Sequence, residues 1–212
     1  MFWDTSTLAD DVARVIAAAE ADLRLEQAVY GLDSMEELPL QKVLADGLAR
    51  SYSVAREVHY PSSKGNKLTH RRRCDLVLTP PGRPLRVDHA PASLFDAPDQ
   101  AGPEDAMWVE VKCAYQFRAV QTRHGGYGAQ WRGGVVDDLK KMEAEPLIKS
   151  AALLLVVFTE SQAIVEKDLE LFEDVLVRKE VLAGFRQVRH ISIIDRMGHA
   201  VCTAALWPTI QR

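Results

Sequence analysis

The chain has 212 residues, 47% of them hydrophobic and 26% charged, with a formal net charge of −4. That length suits one sizeable α/β core rather than two independent domains, and the composition is that of a globular protein rather than a disordered tract. No stretch approaches the roughly 18 consecutive apolar residues of a membrane span, and no basic-then-apolar N-terminal segment marks a secretory signal. Cys74, Cys113 and Cys202 cannot all pair and show no C-x-x-C spacing, so a reduced, cytoplasmic setting is expected, with each thiol a small buried hydrophobe.

Residues 7–30 carry Leu8, Val12, Val15, Ala19 and Leu23 near one face, which predicts an amphipathic helix. Thr5, Ser6 and Thr7 are its candidate caps and Gly31 its stop. A second helix is predicted over 34–50, with Ser34 and Glu37 spaced as a capping box and Leu40, Val43, Leu44 and Leu48 as its apolar stripe. Strands follow over 51–60 and 69–79, separated by turn residues. Residues 80–103 hold six of the ten prolines and read as an irregular surface insertion. A third strand is predicted over 106–114, alternating in face about Glu110. After a glycine-rich loop come a helix over 135–149, a buried strand over 151–159, a helix over 163–182, and a strand pair, 185–194 and 199–206, about the turn Asp195-Arg196-Met197-Gly198. The order α-α-β-β-β-α-β-α-β-β fits a three-layer α/β/α sandwich around a central mixed β-sheet.

The chemistry-bearing pattern is an acid on one strand, Asp75, and an acid-x-lysine on the next, Glu110 and Lys112. Residues two apart on a strand share a face, so Glu110 and Lys112 point one way while Val109, Val111 and Cys113 point into the core. If the two strands are neighbours, Asp75 approaches Glu110. Adjacent carboxylates repel unless a cation lies between them, and Mg²⁺ takes one or two carboxylates, waters and substrate phosphate. Asp75 and Glu110 are therefore candidate metal ligands, with the Val111 carbonyl as a further oxygen. Such a metal polarises a phosphate and acidifies a bound water, and an adjacent lysine offsets developing charge. The bland reading, an ion pair on a solvated face, is disfavoured by the apolar neighbours, because charges on a buried strand are costly without a partner or a task.

Helix, strand, turn, strand with Asp75, strand with Glu110-Val111-Lys112, helix, strand resembles the PD-(D/E)xK nuclease superfamily, which includes many restriction endonucleases. The resemblance covers roughly residues 35–160. It implies a single restriction-endonuclease-like domain over 1–212, with a helical extension at 1–33, a core at 35–160 carrying the insertion at 80–105, and a helix and strand pair at 161–212. It also implies catalysis by Asp75, Glu110 and Lys112 with Mg²⁺, Mn²⁺ substituting. Cys74 stands where the name-giving proline would be, and the insertion accounts for the long gap from Asp75 to Glu110. Members often add a glutamate from the preceding helix: Glu37 here, or Glu36. They also often bring a glutamine or basic residue from the helix after the lysine: Gln130 or Lys140.

The acidic net charge is not the usual profile of a nucleic-acid binder, yet the basic residues cluster. Lys64, Lys67, Arg71 and Arg73 surround the start of the Asp75 strand, where alternation puts Arg71 and Arg73 on its side. Arg123, Tyr127, Gln130 and Arg132 lie in the glycine-rich loop, a mix suited to backbone contact and base stacking. Asp138 and Lys141 read as ordinary charge pairing on an exposed helix face. The expected partner is DNA, with RNA as a variant, and a homodimer or partner subunit is compatible with the extra terminal elements. The competing expectation is a non-catalytic nucleic-acid-binding or assembly subunit that keeps the fold.

Overall fold

A computed structural model describes residues 3–63, 72–86, 99–119 and 122–210. Its centre is a parallel pair, β3 (Met107–Tyr115) and β6 (Ser150–Thr159), in unbroken register from Met107 opposite Ser150 to Tyr115 opposite Phe158. A parallel pair needs a long crossover, and the segment between the two strands contains the helix α4 (Gly134–Glu143). On one side of this pair β1 (Ser53–His59) and β2 (Arg73–Thr79) add antiparallel strands; on the other, β8 (Val201–Pro208) and β7 (Gln187–Ser192) do the same. The six-stranded mixed sheet has the order β1-β2-β3-β6-β8-β7.

Both faces of this sheet are covered, which is why the central strands read as nearly continuous apolar runs. On one face α1 (Thr5–Leu25) and α2 (Glu37–Leu48) set Leu8, Val12, Ile16, Leu40 and Leu44 against Leu76, Val109, Val111 and Leu154. On the other, α4 and α5 (Gln162–Arg178) set Val135, Leu139, Leu169 and Phe172 against Trp108, Leu153, Leu155 and Trp207. This α/β arrangement is compatible with the expected three-layer sandwich. Among the described residues no helix is long and apolar enough to cross a membrane.

The differences from the sequence reading lie at helix ends. Asp4, not a threonine or serine, caps α1, accepting from the Ser6 N–H at 2.9 Å and the Thr7 hydroxyl at 2.8 Å. The helix stops at Leu25 because Gln27 takes a left-handed backbone, φ 52°, and the Ala28 N–H turns back to the Leu23 carbonyl at 2.9 Å. Glu180, φ 55°, ends α5 the same way, with Val181 N–H on the Leu176 carbonyl at 3.0 Å. The capping box of Ser34 and Glu37 does not form. Ser34 closes a short 3₁₀ turn, Leu32–Ser34, and its hydroxyl donates to the Gly31 carbonyl at 2.7 Å. Glu37 instead opens α2, without a side-chain cap, and its carboxylate is left for other use.

Residues 87–98 of the proline-rich insertion lie outside the described residues; its ends are drawn together by a bridge between Leu85 and Ala101. The glycine-rich stretch holds a small hairpin, β4 (Phe117–Ala119) with β5 (Thr122–Arg123), and one helical turn, α3 (Tyr127–Gln130).

Burial makes one contrast testable. Leu44, fully buried, and Leu38, 60% exposed, share α2. Urea unfolding of Leu44→Ala should show a loss of about 2–5 kcal/mol, while Leu38→Ala stays within about 0.5 kcal/mol of wild type. Equal losses would mean that α2 is packed by another face.

Candidate active site

The ladder between β2 and β3 runs from Leu78 opposite Met107 to Leu76 opposite Val109. One step further, register would place Asp75 opposite Glu110, but here the Asp75 carboxylate replaces the backbone, accepting the Val111 N–H at 2.7 Å. On a strand a residue's N–H and C=O point to the same side, so the Val111 carbonyl also faces this opening. The side chains record the break. Leu76 and Leu78 face the core under α1 and α2, whereas Cys74, which strict alternation would put with them, faces the other core. On β1, Glu57 lies between the paired residues Arg56 and Val58 at this level and takes a left-handed backbone, φ 52°. Cys74 Sγ donates toward the Leu76 and Val109 carbonyls, 3.4 Å each, closing the corner; burial pushes its thiol pKa well up, so it is no nucleophile.

Glu110 is 2% exposed. Its Oε1 accepts from the Tyr60 hydroxyl and from Lys141 Nζ, each at 2.5 Å. Tyr60 follows β1 and stacks on Trp108 with ring centroids 5.6 Å apart; two residues on, the Ser62 N–H donates to Glu145 at 3.2 Å. Lys141 also meets Asp138, one turn back on α4, at 3.0 Å. Lys112 Nζ lies 3.2 Å from Glu37 and 3.6 Å from Asp138, so Asp138 bridges the two lysines. Glu37 reaches Lys112 because the turn before α2 is tied to the end of β3: the Tyr115 hydroxyl donates to the Met35 carbonyl at 2.5 Å.

Burial, and then the facing Asp75, push Glu110 up to about 7 against the pull of Lys141 and Tyr60. Asp75 is also raised, by burial first; the Val111 N–H and Lys112 work against the shift. Burial alone would lower Lys112, but Glu37, Asp138 and Asp75 outweigh it and hold the ammonium charged. Lys141 is raised in the same way, by Glu110 and Asp138.

Asp75, Glu110, Lys112 and Glu37 thus meet, and Glu37 rather than Glu36 reaches the lysine. Two residues that the sequence reading left on an exposed face, Asp138 and Lys141, belong to the same cluster, as does Tyr60. Their signal was positional: Asp138 and Lys141 flank the buried stripe of Val135, Leu139 and Met142 on the helix packed over β3. Lys140, the candidate beside them, is exposed. Gln130 turns to the backbone instead, accepting the Tyr115 N–H at 3.0 Å. Tyr127 donates to Asp168 at 2.7 Å, and Arg132 lies 4.5 Å over the ring of buried Trp131, so the loop aromatics serve packing. Arg123 is exposed on β5. Arg73 is exposed and 3.8 Å from Glu57, and alternation does not carry across the break at Asp75. Lys64, Lys67 and Arg71 lie outside the described residues. Buried His199 bonds Asp33 at 2.9 Å through Nδ1 and accepts the Phe117 N–H at 3.0 Å through Nε2, a structural tie with no ring nitrogen left for chemistry.

Among the described residues no group of three or more His, Cys, Asp or Glu is set to hold a metal ion. What Asp75 and Glu110 offer is a pair of hard oxygen donors, both raised by burial and not fully neutralised, beside an inward-facing carbonyl. This fits an ion such as Mg²⁺, which binds one or two carboxylates and keeps its waters. No protein-family model, curated protein or solved structure matches this chain.

The Glu110 shift has a sign that can be measured. The carboxyl moves from about 4.5 to about 7 on folding, so within that window the folded state holds a proton the unfolded state has lost. Stability then falls as pH rises. In chelator, from about pH 5 to about pH 8, the melting midpoint of wild type should decline relative to Glu110→Gln. Parallel curves would remove the proposed burial penalty.

Proposed function

We propose that the chain is a divalent-metal-dependent DNA endonuclease of the PD-(D/E)xK type with a restriction-endonuclease-like fold. The observation that carries this reading is the meeting of Asp75 and Glu110 where the β2–β3 ladder ends, with Lys112 alongside. Asp75, Glu110 and the Val111 carbonyl would hold the ion. When bound, it would polarise the scissile phosphate and acidify a water. Lys112 is kept protonated by Glu37 and Asp138, so its part is to orient and to offset phosphate charge rather than to take a proton. Glu37 positions that ammonium. Tyr60 fixes the Glu110 carboxylate from the buried side, which limits its rotation. The strand order and the parallel pairing of β3 with β6 support the same assignment.

A role as a docking subunit is favoured by separate residues. Leu25 at the end of α1 and Val29 and Tyr30 just beyond it are exposed, and Phe185 is 94% exposed before β7. Isolated exposed apolar residues are common, so this reading ranks second.

With Mg²⁺ or Mn²⁺ the pure protein should cut plasmid or linear DNA, and chelator should stop it. Asp75→Ala and Lys112→Ala, each checked for folding, should each lose about a hundred-fold or more in rate. Cutting of RNA alone would move the substrate class. Cutting that survives both substitutions would end the assignment, DNA binding without cutting by wild type would favour a non-catalytic nucleic-acid-binding module, and neither cutting nor binding would favour the docking subunit.

A further inference from the structure

Glu110 already has a cation of the chain's own. Lys141 Nζ is 2.5 Å from the Glu110 carboxylate, 3.0 Å from Asp138 and 5.1 Å from the centroid of the Tyr60 ring, with its side chain 14% exposed. Lys141 and Tyr60 occupy Oε1, and a divalent ion on the other oxygen of that carboxylate would still stand within a few ångströms of the ammonium, where two cations repel strongly. Lys141 does not need Glu110 to stay paired, however. Asp138, three residues earlier on α4, keeps a carboxylate within reach, and the flexible four-carbon stem of lysine allows the shift. Charge points the same way. Among the described residues, Glu37, Asp75, Glu110 and Asp138 when ionised face Lys112 and Lys141. Four carboxylates against two ammoniums leave a deficit that one divalent ion fills.

Building on the nuclease reading, we propose that Lys141 is a second phosphate-directed lysine, parked on Glu110 and released onto Asp138 and the scissile phosphate when a divalent ion takes that carboxylate. Lys112 and Lys141 then flank Asp138 as two cations for one phosphate, and the site is held together without metal by an internal substitute. Removing Lys141 therefore has two opposite effects. It removes a competitor for the ion, and it removes a contact to the substrate.

The experiment is Mn²⁺ titration by calorimetry, paired with single-turnover DNA cleavage at saturating Mn²⁺, for wild type, Lys141→Met and Lys141→Gln. The glutamine keeps a donor to Glu110 in case the methionine variant does not fold, and circular dichroism checks both. Asp75→Asn marks which binding belongs to the site. The variants should bind Mn²⁺ at least about three-fold more tightly while cutting at least about ten-fold more slowly. Unchanged or weaker binding, or an unchanged rate at saturating metal, overturns the role of Lys141 while wild-type cutting leaves the nuclease reading standing. Wild type that neither cuts nor shows Asp75-dependent binding, with variants that behave the same, removes both.

Discussion

The hydrogen bond from the Val111 N–H to the Asp75 carboxylate is the constraint on which the site depends. It stands where the next rung of the β2–β3 ladder would be, and so ends strand pairing without leaving the Val111 donor unsatisfied. Had the ladder continued, ordinary rungs would have filled the space between the strands. Ending it opens a gap between β2 and β3 at one level of the sheet, and Asp75 and Glu110 border it. The left-handed Glu57 and the switched face of Cys74 are the backbone's accommodation of the same break.

Around that gap, each supporting residue comes from a different element. The parallel β3–β6 pair requires a crossover, and its helix α4 brings Asp138 and Lys141 over β3. The turn before α2 is fastened to the end of β3 by Tyr115 on Met35, and to the following hairpin by Asp33 on His199, which accepts from Phe117. Those ties fix the first residue of α2, Glu37, beside Lys112. The cluster therefore lies between the helices of the two faces, with one lysine answering to α2 and α4 and the other to α4 and β3. Positions held by packed strands and helices are more exact than positions on loops.

The sequence made the sheet legible because its signals are periodic: alternation around Glu110 and the apolar run of β6 both survive folding nearly to the residue. Asp75, Glu110 and Lys112 were legible for the same reason, since period two fixes which side chains share a face. Helix ends were less so. Gln27 and Glu180 adopt left-handed backbones that the sequence marks with neither glycine nor asparagine, so α1 and α5 end earlier than their periodicity suggests. Asp138 and Lys141 were hidden by a different ambiguity. Their i, i+3 spacing is that of a surface ion pair, and only the packing of α4 onto β3 shows that the pair borders buried Glu110. Strict alternation does not describe the start of β2, because Cys74 faces the other core from Leu76 where the β2–β3 ladder ends, so it does not fix the side of Arg73.

A cluster of this kind has a structural cost that bears on its meaning. Replacing buried ion pairs by apolar residues of similar volume is often neutral or stabilising by about 1–4 kcal/mol. β3 carries Glu110 and Lys112 between Trp108, Val111 and Ala114, all fully buried, so apolar residues at those two positions would suit the strand. A purely structural network would also balance its charges. Here Asp75 accepts a backbone N–H and stays raised by burial despite the pull of Lys112, and Glu110 is raised to about 7 even with Lys141 in contact. Lysine partners have relieved part of the repulsion between the two acids and left the rest. Two carboxylates kept short of positive charge at the end of a strand ladder are what the proposed divalent-ion site requires.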